Sequence, residues 1–195
     1  LGFPGAFTGE KVSVVGNPVR DSIIALHGKA RDFTHTPVRI SIIGGSLGAR
    51  ALNELVPLAL KKFTDDSILV THQCGKGNSD KVKALYESAS VKVEATDFID
   101  NMDALYANTD LIICRAGALT VAETSTAGIP AIFVPLPTAV DDHQTKNASV
   151  LAKAGAALVC KQSSLSADSL HDLVKSLVDD REKLAFMSPQ AYECA

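Results

Sequence analysis

Val38-Arg39-Ile40-Ser41-Ile42-Ile43-Gly44-Gly45-Ser46-Leu47-Gly48-Ala49-Arg50 joins a β-branched apolar run to a glycine-rich turn, and helical periodicity follows over residues 49–62. A short apolar run with little in/out alternation, bounded by turn residues, is the pattern of a parallel strand covered on both faces. The pattern recurs down the chain. Apolar runs at 68–71, 91–95, 111–114, 131–134 and 157–159 alternate with helical stretches near 79–88, 102–107, 119–127, 144–154 and 167–178. Six strands separated by helices predict an α/β fold, a doubly wound parallel, Rossmann-like sheet. Upstream, Val12-Ser13-Val14-Val15 reads as one more short strand, ended by the turn residues Gly16-Asn17-Pro18.

Composition fits this and narrows the functions. With 195 residues, 46% hydrophobic and 21% charged, the chain is long enough for one well-buried domain and too apolar for a disordered one. The 22 acidic against 19 basic residues leave a net charge of -3 and no basic excess for a nucleic-acid backbone. Cys74, Cys114, Cys160 and Cys194 form no CxxC pair and have no His at ligand spacing, so reduced thiols are expected rather than a zinc site or a disulfide framework. No apolar run approaches the ~20 residues that cross a bilayer, and a signal-peptide pattern is missing, so the sequence predicts a soluble chain. Leu1 in place of Met, followed by the irregular Gly2-Phe3-Pro4-Gly5, reads as a chain entered midway.

In an open parallel sheet, ligands bind beyond the carboxyl ends of the strands. The turn at 44–50 offers glycines that let the backbone approach an anion, Ser46 as cap or donor, and a helix start with positive potential. Its adjacent glycines depart from G-x-G-x-x-G, and Thr71-His72-Gln73-Cys74 lacks the acid that would hold an NAD ribose, which speaks against a nicotinamide oxidoreductase. A second small-residue turn, Arg115-Ala116-Gly117-Ala118-Leu119-Thr120, opens another helix, with Glu123 about one turn in. Glu123 has two readings: a carboxylate that holds vicinal ribose hydroxyls, or an acid placed against the helix dipole. After Pro135-Leu136-Pro137-Thr138, the segment Asp141-Asp142-His143-Gln144-Thr145-Lys146-Asn147 places Gln144 and Asn147 on one helix face, where their amides suit sugar hydroxyls. The paired aspartates read as helix-start acids in preference to a metal site, and His143 as a hydrogen-bonding imidazole or a general base. Phe98-Ile99-Asp100-Asn101-Met102 offers exposed backbone to a base edge, with Ile99 and Met102 as apolar wall or simple core. Arg20 reads as a ligand contact or a solvated charge.

In their order and spacing, Gly16-Asn17-Pro18-Val19-Arg20, the turn at 44–50, Phe98 to Met102, Cys114 to Glu123, and Asp141 to Gln144 with Asn147 resemble the MurG family. These glycosyltransferases move N-acetylglucosamine from its UDP donor onto lipid I in peptidoglycan synthesis. The likeness covers nearly the whole chain, weakening after the helix near 167–178. It implies the C-terminal half of a GT-B glycosyltransferase, with 1–20 as interdomain connection and first strand and 21–195 as the UDP-sugar domain. An N-terminal acceptor domain, carrying the catalytic base and the membrane-associating patch, would be absent from this sequence. The resemblance further implies that Ile99 binds uracil through its backbone with Arg20 nearby. Glu123 would hold the ribose, Ser46, Ala118, Leu119 and Thr120 would face the diphosphate, and His143, Gln144 and Asn147 would lie near the sugar. It implies an inverting displacement without metal or other cofactor, at the cytoplasmic face of the bacterial inner membrane, with UDP-N-acetylglucosamine and lipid I as partners. A UDP-sugar epimerase and a non-catalytic nucleotide-binding module are the alternatives.

Overall fold

A computed structural model of the chain describes residues 16–45, 47–137 and 142–195; the strand expected at 12–15, Ser46 and residues 138–141 lie outside the described residues. Six strands, β1 (Val38–Ile43), β2 (Ile68–Gln73), β3 (Lys92–Thr96), β4 (Leu111–Cys114), β5 (Ala131–Phe133) and β6 (Ala157–Val159), form one sheet. Their spatial order is β3-β2-β1-β4-β5-β6, every neighbouring pair is parallel, and β1 pairs Val38 with Ile68 on one side and Ile40 with Leu111 on the other. The helices are α1 (Asp21–Ile24), α2 (Arg50–Leu60), α3 (Ser79–Tyr86), α4 (Met102–Ala107), α5 (Ala118–Thr126), α6 (His143–Lys153), α7 (Ala167–Asp179) and α8 (Arg181–Tyr192).

The alternation of strand side chains explains the two-sided core. Ile40 and Ile42 point to one face and join Leu52 and Val56 of α2, Val82 of α3, and Leu170 and Val174 of α7. Ile43, with Ile112 and Cys114 of β4, belongs to the other face beside Tyr106 of α4, Val121 of α5 and Leu151 of α6. Ser41 is the buried polar residue of β1, and its hydroxyl pairs with Thr109 Oγ1 at 2.7 Å. Each fully buried aliphatic side chain contributes roughly 1.5–3 kcal/mol, so the two faces share the stabilisation.

Two helices were not legible in the sequence pattern. The single turn α1 is too short to show a period, and α8 turns Leu184, Met187, Ser188 and Ala191 inward. That spacing is helical, but half of the stripe is small or polar, and Pro189 lies within the helix. Contacts with the C-terminal end of α5 fix α8 instead: Ser188 Oγ donates to the Gly128 carbonyl at 2.7 Å, and the Tyr192 ring covers Gly128 so closely that an added Cβ would sit 2.2 Å from it.

Candidate functional site

The chain leaves β1 towards α2 on one face and β4 towards α5 on the other, although the two strands are neighbours. A crevice opens where the winding reverses. It is a cleft of about 590 Å³, lined by Gly44, Gly48, Ala49 and Arg50 on the β1 side and by Arg115, Leu136, Gln144 and Gln162 on the other.

Helix starts around this crevice differ from those elsewhere. Among the helices longer than one turn, α4, α7 and α8 are capped by the side chains of Asn101, Ser166 and Asp180. The turn into α3 is filled by Asp97, which accepts from the amides of Gly77, Asn78 and Ser79 at 2.7, 3.1 and 2.8 Å; these bonds hold its carboxyl down at about 2. By contrast, among the described residues the N-cap positions of α2, α5 and α6 supply no side-chain cap. In α5 the first intrahelical bond runs from Val121 N–H to Gly117 O at 2.9 Å, which leaves the amides of Ala118, Leu119 and Thr120 ahead of the ladder. In α2 the first is Asn53 N–H to Ala49 O at 2.9 Å. Unpaired amides at helix starts favour an anion.

The turn after β1 is propped from below by the turn after β2. Gly44 N–H donates to the Gln73 carbonyl at 3.1 Å and Gly45 N–H to Gln73 Oε1 at 3.0 Å. Gly48 lies at φ +75° with its α-carbon against the Cys74 carbonyl, where a Cβ would come within 2.3 Å of that oxygen. Only glycine satisfies both the left-handed backbone and the close approach. Sequence reasoning missed Gln73 in this role because a lone Gln at a strand end carries no spacing signal.

Glu123 is held from two sides. Arg20 Nη2 and Nε donate to its Oε1 at 2.9 and 3.2 Å, and Tyr106 Oη donates to Oε2 at 3.0 Å. Arg20 is 54% exposed at its side chain and Glu123 14%, so the pair joins a mostly buried carboxylate to a solvent-exposed guanidinium. Burial and the neighbouring Glu123 carboxylate push the Tyr106 phenol far up, so it stays a donor. A carboxylate offers about four acceptor positions. With three of them engaged, a diol that bonds both oxygens must take one from Arg20. Tyr106 was missed by the sequence reading; its only signal is its place on the helix after Ile99.

Gln144 and Asn147 meet on one residue, Ala116, as their shared helix face predicts. Gln144 Oε1 accepts from the amides of Ala116 and Leu136 at 3.3 and 3.0 Å, and Asn147 Nδ2 donates to the Ala116 carbonyl at 3.2 Å. Among the described residues the side-chain amide nitrogen of Gln144 and the side-chain carbonyl oxygen of Asn147 make no hydrogen bond. Arg115 ties the same loops, donating to the carbonyls of Val134 and Pro135 at 2.9 and 3.3 Å and to Gln162 Oε1 at 2.7 Å. Its partial burial lowers its pKa. His143 stands exposed at the head of α6, Ala118 and Leu119 are exposed at the head of α5, and Thr120 is half-buried. Ile99 is half-buried in the turn between β3 and α4; among the described residues its main-chain groups bond to no other group. Four residues of α4, Met102 to Leu105, separate that turn from Tyr106, a rise of ~6 Å along the helix. Among the described residues no three His, Cys, Asp or Glu side chains gather as a metal site.

Strand order and crevice define a doubly wound, Rossmann-like α/β domain, in the form of the C-terminal half of GT-B glycosyltransferases. A MurG crystal structure from Acinetobacter baumannii superposes with a TM-score of 0.85 at 43% identity, over 98% of this chain and 54% of that one. The UDP-N-acetylglucosamine--N-acetylmuramyl-(pentapeptide) pyrophosphoryl-undecaprenol N-acetylglucosamine transferase of Tolumonas auensis is 52% identical over 98% of this chain and 55% of its own. The enzyme with the same description from Aeromonas hydrophila is 48% identical over 100% of this chain and 54% of its own. The chain belongs to the glycosyltransferase family 28 C-terminal domain family, whose profile matches residues 39–194. It spans about half the length of the curated relatives it matches.

Proposed function

We propose that this chain is the donor-binding half of an inverting transferase that moves N-acetylglucosamine from UDP-N-acetylglucosamine to lipid I, giving lipid II. The observation that carries the reading is that the starts of α2 and α6 line one crevice, at Gly48 to Arg50 and at Gln144, while Ala116, just ahead of the helix that carries Glu123, is bonded to Gln144 and Asn147 of α6. A nucleoside diphosphate sugar presents what these groups match: two phosphates for the helix amides, a diol for the carboxylate, and hydroxyls for the Gln144 and Asn147 amides. The main chain of Ile99 takes the uracil edge with Arg20 nearby. Ser46, Ala118, Leu119 and Thr120 receive the diphosphate, and His143 stands at the sugar end.

In the reaction, an acceptor hydroxyl attacks the anomeric carbon, the bond from that carbon to the diphosphate oxygen breaks, and UDP leaves with the electron pair. Amides already aimed at the diphosphate stabilise its growing charge without reorganisation. The base that takes the acceptor proton, the lipid I site and the membrane-facing surface belong to the other half of the enzyme. Residues 1–20 form the connection to that half, and 21–195 the donor domain. Among the described residues no helix is long and apolar enough to cross a membrane. A peripheral place on the cytoplasmic face of the bacterial inner membrane fits a lipid-linked acceptor and a water-soluble donor.

Calorimetric titration with UDP-N-acetylglucosamine and UDP, beside a lipid I transfer assay, tests the proposal. Binding of both ligands, no transfer by the chain alone and transfer once the complementary half is supplied are expected. Epimerisation of the donor without acceptor, or binding that never yields transfer in the joined enzyme, would replace this reading by one of the alternatives.

A further inference from the structure

His72 is the penultimate residue of β2, fully buried, and it is the hub of a polar chain through the core. Tyr86 Oη of α3 sits 3.2 Å from its Nδ1, and Asn53 Oδ1 of α2 sits 3.1 Å from its Nε2. Asn53 Nδ2 in turn donates to the Cys74 carbonyl at 2.8 Å. That carbonyl is the one against which Gly48 packs.

The direction of every bond in this chain follows from its end. A carbonyl can only accept, so Asn53 must give Cys74 its amide nitrogen and turn its own oxygen to His72. His72 must then be protonated at Nε2, and Nδ1 must accept from the Tyr86 hydroxyl. Reversing the imidazole would set two acceptors face to face at Asn53, or flip Asn53 and set two face to face at Cys74. One tautomer therefore satisfies all four groups, and burial without an acidic neighbour keeps the ring neutral, pushed down to about 4.

We propose that His72 is a positioning residue of the donor site: as the neutral Nε2–H tautomer it orients the Asn53 amide, which holds the Cys74 carbonyl beneath Gly48 and so shapes the turn at the start of α2. The proposal rests on the donor-site reading for its ligand and goes beyond it in assigning a role to a side chain that touches no substrate. Its reach is specific. In that reading Gly44, Gly45, Gly48 and the α2 amides meet the diphosphate, whereas the uracil and ribose groups stand in the turn before α4 and on α5, outside the chain of bonds.

The test uses His72→Leu, which fills the space and removes both bonds, and His72→Gln, which restores a donor towards Asn53. Amide hydrogen exchange at Gly44 and Gly48, and titration with UDP and with uridine, are compared with the parent. Faster exchange at both glycines, a UDP affinity lowered about tenfold with uridine unchanged, and recovery in His72→Gln are expected. A folded His72→Leu with parental exchange and a parental UDP-to-uridine ratio would overturn the proposal. Should His72→Leu fail to fold, the parent decides through the ring-nitrogen chemical shifts of His72, since an Nδ1–H tautomer or a charged ring at neutral pH contradicts it. A parent that ignores UDP while His72→Leu speeds exchange at the two glycines would remove the donor reading and leave His72 as a residue that shapes an empty turn.

Discussion

Gly45 and Gly48 share nearly the same backbone, φ +78° and +75°, but a side chain at Gly45 would meet nothing within 4 Å, whereas one at Gly48 would come within 2.3 Å of the Cys74 carbonyl oxygen. Alanine at either position suffers the left-handed penalty of ~1–2 kcal/mol. At Gly48 the neighbour is main chain, itself held by Asn53 Nδ2 at 2.8 Å, so it cannot swing away as a side chain would. Overpacking of this kind adds ~1–3 kcal/mol. Gly45→Ala should therefore cost ~1–2 kcal/mol and Gly48→Ala ~2–5 kcal/mol. For a domain of this size each kcal/mol lowers Tm by ~2–4 °C. Urea unfolding followed by circular dichroism, with unchanged m-values as a check on the denatured state, measures both differences. Equal destabilisation would refute the argument, because it would mean that the two glycine turns do not lean on each other.

Three more outcomes follow from the site. Glu123→Ala should weaken UDP and UDP-N-acetylglucosamine alike, by the ~1.5–3 kcal/mol of a charge-assisted hydrogen bond, while Tyr106→Phe costs only ~0.5–1.5 kcal/mol; calorimetry that finds parental affinity in a folded Glu123→Ala would reduce Glu123 to a partner of Arg20. Gln144→Ala strands the amides of Ala116 and Leu136 and should cost ~1–3 kcal/mol of stability, more than Asn147→Ala, with UDP-N-acetylglucosamine binding falling further than UDP binding in both; equal losses for the two ligands would leave the pair a purely structural clamp. His72 is neutral in the fold down to about 4, against 6.5 unfolded, so the unfolded chain binds the extra proton first and stability falls as pH drops through that window, by ~3 kcal/mol at most. Urea midpoints between pH 7 and 4 that decline equally in the parent and His72→Gln would exclude His72 as the cause.

How much of this could be read from the chain depended on sequence distance. The runs at 38–43, 111–114 and 157–159 coincide with β1, β4 and β6, since strands covered on both faces are predominantly apolar. β2 outruns its apolar run to Gln73, because ladder bonds are made by the main chain whatever the side chains are. The glycine turns and the Gln144–Asn147 face were legible as local patterns. Contacts that join distant segments were not. Tyr106 reaches Glu123 across the β4 strand, Asp97 fills a helix start that precedes it in the chain, and His72 meets Asn53 and Tyr86 from two helices that flank β2. No periodicity encodes such meetings, because each depends on which elements the sheet order sets side by side.

The bare starts of α2, α5 and α6 also set an evolutionary constraint. A helix start filled by a side chain gains stability at once, typically ~1 kcal/mol for Ser, Thr, Asn or Asp over Ala, and α4, α7 and α8 have taken that gain. On the donor-binding reading proposed for this chain, the same improvement at Gly117, ahead of α5, would fold a competitor for the diphosphate into the protein, always present at saturating local concentration. Selection for stability and selection for turnover thus pull in opposite directions at one residue. Variants recovered in a screen for thermal resistance should gather acids and hydroxyls at these helix starts, and should lose nucleotide affinity in proportion to what they gain in stability.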